Sequence, residues 1–279
     1  MKNKVIKFTL FFFSLIVLLN ISGCANIYKK GTTEIYPLNY DYFWDKVFVQ
    51  PIAWLLDITT SNIGSYALGI LITTIIVRTI LTPIYTKSNL MSTKMQELQP
   101  EIKKIQDKYV GRTDPDSRSK MSFEVMKLYK DNNVNMFAGC IMPFLQMPVF
   151  FAMYNAVVKV PVTFNYPANK LSFLGIILSK PDPTYVLPIL VGITAYLLQK
   201  ISMMGLTPEA RNNQTMKMMM WLMPGMMLLF SFSQASALAF YWIVGNIYST
   251  IQIIVFKKPF KRKKDNDGNV VNAKFREVQ

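Results

Sequence analysis

One arginine, Arg78, lies inside an otherwise apolar stretch that runs from Ile63 to Tyr85. Thr74 and Thr82, four residues before and after it, would share its face of a helix and make that face polar. Measured by helix rise, Arg78 lies about 10 Å from the end of the stretch. Its guanidinium could reach the lipid headgroups, or it could lie in a water-filled cavity between helices. Insertion of an arginine near mid-bilayer costs at least about 3 kcal/mol, which favours an enclosed, functional site.

The remaining apolar stretches contain neutral polar residues and no carboxylate that could pair with Arg78. These residues are Gln146, Asn155, Gln199, Asn246 and Gln252. Each alone is typical of a hydrogen bond between membrane helices. Together with an arginine that has no acidic partner, they predict a hydrated, positively charged groove that would attract acidic groups.

The sequence contains few of the residue types and motifs that catalytic sites use. The chain has no histidine and only two cysteines, which are far apart in the sequence, so neither a zinc site nor a disulfide framework is indicated. No Gly-x-x-x-x-Gly-Lys-Ser/Thr phosphate loop is present. We therefore predict no catalytic residues, no cofactor and no metal, and a protein that is not an enzyme.

The composition indicates a membrane protein. Hydrophobic residues make up 51% of the chain and charged residues 17%, below the roughly 25% typical of soluble domains. The net charge is +15. Because the basic residues lie between the apolar stretches, they fit cytoplasmic loops better than specific DNA binding.

The first residues resemble a lipoprotein leader. A basic stretch is followed by the apolar run Phe8 to Leu19, then by Ile21-Ser22-Gly23-Cys24. A cysteine directly after small residues is similar to a bacterial lipobox, in which that cysteine is acylated. The alternative is an ordinary first membrane span, but the run is shorter than the roughly 20 residues that a span needs. We predict a signal peptide over 1–23 and lipid attachment at Cys24 on the outer face of a bacterial plasma membrane.

Five apolar stretches predict an all-α integral membrane protein with five transmembrane helices. An aromatic-rich pattern in the external segment 24–62 predicts an amphipathic interfacial helix, bent or interrupted at Pro51. The predicted spans are 63–85, 136–158, 185–204, 218–232 and 235–256. Span four is short, contains much of a methionine cluster and is broken by Pro224-Gly225. Those methionines are either lipid-facing filler or a flexible surface for varied apolar segments.

The loops set the orientation. Ten Lys and Arg residues lie in segment 86–135 and eight in the tail 257–279, whereas the external loop 159–184 has few. The positive-inside rule then places the N-terminus outside and the tail and the loop 205–217 in the cytoplasm, as the lipobox also requires. Helical spacing from Lys87 to Tyr109 and from Ser119 to Lys130 predicts that segment 86–135 is a cytoplasmic helical hairpin.

Four sequence segments, in order, are similar to the YidC/Oxa/Alb family of membrane protein insertases, in the lipoprotein form of Gram-positive bacteria. They are Val77–Pro83, Lys94–Glu101, Pro143–Tyr154 and Ala239–Asn246. The resemblance covers nearly all of the chain after the leader. It implies a groove that is open to the cytoplasm and to lipid and closed on the outside.

The resemblance also implies a function and a site. Arg78 corresponds to the family's groove arginine, and Gln199 and Trp242 to its groove partners; with Thr74, Thr82 and Gln146 they form the expected substrate groove. The hairpin would recruit substrate and the basic tail would contact the ribosome. The expected function is insertion of nascent membrane proteins into the lipid bilayer, alone or with the Sec translocon.

A small-anion transporter or channel is the alternative, since an intramembrane arginine could bind an anion. Transporters often contain internal repeats. The sequence shows no repeat, and five spans is an odd number, so insertion is the preferred interpretation.

Overall fold

The computed structural model describes residues 35–39, 41–112, 114–132, 134, 138–204, 211, 214–256, 263–264 and 270–271. The predicted signal peptide, Cys24 and most of the basic tail lie outside these residues. The described chain is mostly helical, which confirms the expected helical class at that level. Its helices are α1 (Gln50–Ile63), α2 (Tyr66–Glu97), α3 (Gln99–Lys108), α4 (Pro115–Asp131), α5 (Ala138–Thr163), α6 (Ala168–Leu171), α7 (Val186–Ser202), α8 (Gln214–Ser231) and α9 (Ser236–Phe256). Its strands are β1 (Ser172–Phe173), β2 (Ile176–Ile177), β3 (Lys263–Lys264) and β4 (Val270–Val271).

Among the residues that the structure describes, two helical segments are long and apolar enough to cross a membrane. They are Tyr66–Thr86 in α2 and Ser236–Val255 in α9. Val186–Ser202 and Met216–Ser231 are shorter apolar helices. The arrangement of five spans around a groove remains a prediction.

The helix at Pro51 is neither broken nor separated from what precedes it. A π-helical segment, Asp45–Val49, runs directly into α1, and Pro51 lies in the first turn of α1. A proline lacks the backbone N–H that a helix interior uses, and here it directly follows the wider π-helical turn in which the Gln50 N–H donates to the Asp45 carbonyl. Gly64 then ends α1 with φ 78°, and its N–H donates to the Thr60 carbonyl at 2.8 Å.

Helix α2 is one continuous element that contains both Arg78 and the beginning of the predicted hairpin. It extends past Tyr85, the predicted end of span one, and passes through Pro83 to Glu97. The hairpin's first helix therefore does not start separately at Lys87. The α-helix is interrupted at Leu98, a buried residue with helical backbone angles, and α3 starts one residue later.

The hairpin segment closes on its own small core. Asp114 caps α4 by accepting a hydrogen bond from the Ser117 N–H at 2.7 Å. The buried residues Leu98, Ile102, Tyr129 and Val134 pack together between α3 and α4.

The apolar piece before α7 forms a β-hairpin. Ser172 pairs with Ile177 and Phe173 with Ile176. Leu174 and Gly175, with φ of 50° and 80°, form the left-handed turn that a two-residue hairpin needs. The loop between β2 and α7 contacts the beginning of α9, where the Lys180 carbonyl accepts from the Ser236 N–H at 2.8 Å.

Helix α8 passes through Pro224 without a break, so the predicted interruption at Pro224-Gly225 is wrong. Pro224 is buried, and α8 packs closely along α7. The neighbouring helix holds the turn in place despite the one hydrogen bond that the proline removes.

Polar contacts fasten the segment before α2 to helix α5. Lys159 Nζ lies 3.1 Å from Asp45 Oδ2, and both side chains are buried. The Leu38 N–H donates to Thr163 Oγ1 at 2.9 Å. Lys159 is predicted to begin the external loop; instead α5 continues to Thr163 and buries the ammonium inside this contact.

A second set of contacts lies beside this ion pair. The Tyr166 hydroxyl donates to Asp57 Oδ1 at 2.6 Å, and the Tyr66 hydroxyl donates to the Val157 carbonyl at 2.5 Å. Burial, and then the hydrogen bond to the Asp57 carboxylate, raise the pKa of Tyr166 to about 12. Each contact joins the segment 35–66 to α5 or to the turn that follows it.

Candidate functional site

The guanidinium of Arg78 lies between Tyr85 on its own helix and a face of α9. Arg78 Nη1 donates to Ser249 Oγ at 3.2 Å. Its Cζ lies 5.5 Å from the centroid of the Tyr85 ring. The side chain as a whole is partly buried. The guanidinium is therefore contacted by Tyr85 and by Ser249, while the side chain stays partly exposed.

The face of α9 that meets Arg78 is a row of residues spaced four apart. Tyr241 is buried and interacts electrostatically with the guanidinium. Gly245 follows one turn later and Ser249 one turn after that. A Cβ built on Gly245 would lie 3.0 Å from Arg78 Nη2. The glycine thus provides the space in which the guanidinium lies against the helix.

No carboxylate neutralises Arg78 within the parts of the chain that the structure describes. The ion pairs among those residues join Asp45 to Lys159 and Lys108 to Glu124. An arginine carries five N–H donors, and Ser249 accepts from one of them. The charge is therefore available to an anionic group that comes from outside the protein.

Tyr85 connects Arg78 to helix α5. Tyr85 is 3% exposed, and its hydroxyl donates to Gln146 Oε1 at 2.7 Å. Gln146 itself is partly buried. The predicted groove residue Gln146 is thus linked to Arg78 through a tyrosine and does not touch it directly.

The two predicted threonines differ. Thr82 Oγ1 donates to the Arg78 carbonyl at 2.9 Å and lies 3.3 Å from the Tyr248 hydroxyl, so it borders the site. Thr74 is 1% exposed, and its hydroxyl donates to the Ile70 carbonyl at 2.6 Å, within its own helix. Thr79, one residue after Arg78, also reaches the Tyr248 hydroxyl, at 2.9 Å.

Trp242 and Gln199 are not brought to Arg78 by any described hydrogen bond or ring contact. Trp242 stacks on Phe150 at 5.8 Å and contacts Phe230 at 5.9 Å between ring centroids. The Gln199 carbonyl accepts from the Met203 N–H at 3.1 Å at the end of α7. Trp242 therefore belongs to an aromatic cluster beside the polar site.

Tyr85, Tyr241, Gly245 and Ser249 lie against Arg78, and Tyr248 contacts the neighbouring Thr79 and Thr82; none of them was predicted as a site residue. Tyr85 could have been found, because residues seven apart lie on the same face of a helix two turns along. The α9 residues could not, since the register between two distant helices is not encoded in local spacing. Among the residues that the structure describes, no group of three or more His, Cys, Asp and Glu side chains could hold a metal ion.

Comparisons with known proteins give a consistent result. The model of the 60Kd inner membrane protein family matches residues 58–264. The membrane protein insertase YidC 1 of Listeria monocytogenes serotype 4b (strain F2365) is 35% identical over 96% of this chain and 89% of its own length. The insertase YidC 2 of Bacillus anthracis is 39% identical over 85% of this chain and 88% of its own length. The insertase MisCA of Bacillus subtilis (strain 168) is 34% identical over 88% of this chain and 90% of its own length.

A solved structure is also similar. It is a crystal structure of an active YidC insertase with the first transmembrane domain resolved, 25% identical in sequence. The superposition has a TM-score of 0.53 and covers 77% of this chain and 46% of that one. This chain thus spans less than half of that larger protein.

Proposed function

This chain belongs to the 60Kd inner membrane protein family, the YidC/Oxa/Alb insertases, and on that premise we propose that it inserts nascent membrane proteins by binding polar or acidic substrate residues at Arg78. The observation that carries the proposal is a guanidinium without a described carboxylate partner. It lies on an apolar helix and is partly exposed. A buried structural arginine would ordinarily have an acidic partner.

The proposed path begins in the cytoplasm. Acidic or polar residues in the short tail of a nascent segment enter a hydrated groove formed by five spans, and Arg78 solvates them. This lowers the cost of moving charged groups part-way across the bilayer. Thr82 and Gln146, which lie near the guanidinium, and Thr74, Gln199 and Trp242, which lie further off, would complete the groove.

The apolar part of the substrate then leaves sideways into lipid, along α7 and α9. The supporting observation is an apolar exposed surface, which on α7 and α9 includes Ile193, Leu197, Ile247 and Ile251. Met223 and Met226 on α8 are also exposed, and flexible methionine side chains suit varied partners. Hydrophobicity of the segment itself drives this step, so the mechanism needs no cofactor or catalytic residue.

The remaining parts have supporting roles in the proposal. The cytoplasmic hairpin of α3 and α4 recruits substrate, and the basic tail contacts the ribosome. The protein works alone or beside the Sec translocon. Acylated Cys24 fixes the N-terminus on the outer face of the plasma membrane, with the tail in the cytoplasm. The support here is the distribution of lysine and arginine and the family resemblance.

Substitution of Arg78 tests the proposal. In proteoliposomes, Arg78→Ala should abolish insertion of a substrate with an acidic tail, and Arg78→Lys should largely retain it because the positive charge remains. Protease protection of the substrate measures insertion. Full insertion by the alanine variant would remove the charge at position 78 from the mechanism.

The alternative function, transport of a small anion, makes a different prediction. Crosslinkers placed beside Arg78, for example at Tyr248, should capture a ribosome-bound nascent chain if the protein is an insertase. A transporter of small anions should give no such product.

A further inference from the structure

We propose that Tyr85 is a positioning residue, which holds the Arg78 guanidinium in the orientation that receives a substrate carboxylate. The inference rests on the proposed function of Arg78 and adds a residue to that site. Its basis is a chain of three contacts that joins Gln146, Tyr85, Arg78 and Ser249 across helices α5, α2 and α9.

The first contact fixes the tyrosine ring. Tyr85 is 3% exposed, so the ring is enclosed by its neighbours. Its hydroxyl donates to Gln146 Oε1 at 2.7 Å, which leaves the ring little freedom to turn about its own bond. Because the hydroxyl is already donated to Gln146, Tyr85 is poorly suited to donate to a substrate.

The second contact places the guanidinium. Its Cζ lies 5.5 Å from the centre of the Tyr85 ring, within the range in which a cation is attracted by an aromatic face. Tyr85 follows Arg78 by about two helical turns, and long side chains lean toward the N-terminus of a helix, so the Tyr85 ring leans back toward Arg78. The attraction therefore selects one direction for a long side chain that otherwise has many rotamers.

The third contact involves the terminal nitrogens of the guanidinium and helix α9. Ser249 Oγ accepts from Nη1 at 3.2 Å, and the absence of a side chain at Gly245 leaves room for Nη2. With the ring of Tyr85 near one side and α9 at the other, the guanidinium is oriented before any substrate arrives. Pre-orientation reduces the conformational entropy lost on binding, so it favours capture of a carboxylate.

A pair of substrates separates positioning from simple stability. They are identical except for one tail residue, Asp in the first and Asn in the second. Insertion of each is measured by protease protection in proteoliposomes that contain the full-length protein. Loss of the ring in Tyr85→Leu should lower insertion of the Asp substrate about fivefold to tenfold relative to the Asn substrate.

Milder variants locate the effect within the chain of contacts. Tyr85→Phe retains the ring and loses only the bond to Gln146, so its selective loss should be smaller than that of Tyr85→Leu. Gln146→Leu removes the same bond from the other side and should match Tyr85→Phe. Combining these two changes should produce no further loss, because both remove one contact. If Tyr85→Leu fails to fold, these milder variants carry the test.

Tyr66→Phe is the matched control. Tyr66 is a fully buried tyrosine on the same helix, and its hydroxyl also donates one hydrogen bond, to the Val157 carbonyl. This control should affect both substrates equally. An equal effect of the Tyr85 variants on both substrates would show a merely structural role and overturn the inference.

Arg78→Ala distinguishes the inference from the proposed function. If Arg78→Ala inserts the Asp substrate normally, the function proposed for Arg78 is wrong. If Arg78→Ala fails while every Tyr85 and Gln146 variant discriminates like the unmodified protein, only the positioning role is wrong.

Discussion

Asp45 and Lys159 form an ion pair of 3.1 Å in which the side chains keep 6% and 2% of their exposure. The Asn39 N–H also points at the carboxylate, with 3.4 Å between N and Oδ2. The pair joins the π-helical segment before α1 to helix α5. By contrast, the pair Lys108–Glu124 in the hairpin is shorter, at 2.7 Å, but has side-chain exposures of 60% and 34%.

Lys159→Met tests the buried pair. It leaves the Asp45 carboxylate buried without its counter-charge, which should lower the free energy of unfolding by about 3–5 kcal/mol. The measurement is the Tm in detergent. Lys108→Met, at the exposed pair, is the control and should leave the Tm nearly unchanged, because water solvates the glutamate that remains. Equal shifts for the two variants would contradict the assignment of the Asp45–Lys159 pair as a stabilising contact.

Gly69→Ala should destabilise the contact between α1 and α2. A Cβ at Gly69 would overlap Oγ1 of the buried Thr60, so one helix must move. The expected result is a lower Tm, partly restored by adding Thr60→Ala. Gly225→Ala makes the same change within α8, where nothing lies within 4 Å, and should raise stability by up to about 1 kcal/mol. A Gly69→Ala protein as stable as Gly225→Ala would contradict this packing.

The raised pKa of Tyr166 predicts a loss of stability in alkali. The folded protein holds this proton up to about pH 12, whereas an unfolded chain releases it near pH 10. The contribution is therefore complete below pH 10 and is lost as the pH rises from 10 to 12. Tyrosinate absorbance of the unmodified protein minus that of Tyr166→Phe should show one transition near pH 12. A transition near pH 10 would contradict the enclosed hydrogen bond to Asp57.

Substitutions at Gly245 test the space beside Arg78. Alanine would place its Cβ 3.0 Å from Nη2, at the end of a flexible side chain that can shift slightly, so insertion should be nearly normal. Leucine would displace the guanidinium from Ser249 and should reduce insertion of an acidic-tail substrate more than that of a neutral one. The protease-protection assay measures both. An acidic-tail substrate that Gly245→Leu inserts as well as Gly245→Ala does would show that contact with α9 is unnecessary.

The spacing of residues along the sequence predicted correctly which side chains lie close together within one helix. Arg78 and Thr82 share a face because they lie four residues apart, and the structure has them adjacent. Thr74 also lies four residues from Arg78 but is buried in the protein, which spacing alone does not reveal.

Contacts between distant residues could not be predicted. Arg78 meets Ser249, 171 residues later, and Lys159 meets Asp45, 114 residues earlier. From the sequence, Lys159 was predicted to begin the external loop. A lysine is rarely buried unless it is paired, and its partner Asp45 could not be recognised from the sequence. Pro224 was misleading for a related reason, since packing along α7 keeps α8 continuous where a solitary helix would be weakened.

The continuity of α2 has a mechanical consequence. A helix of 32 residues is a rod about 48 Å long, and Arg78 lies about 30 Å from its far end at Leu98. Leu98 keeps helical hydrogen bonds on both sides, because its N–H donates to the Lys94 carbonyl at 3.3 Å and its carbonyl accepts from the Ile102 N–H at 2.9 Å. Met95 of α2 also packs against the core of the hairpin. A displacement of the hairpin is therefore passed to the end of α2, the same rod that carries Arg78.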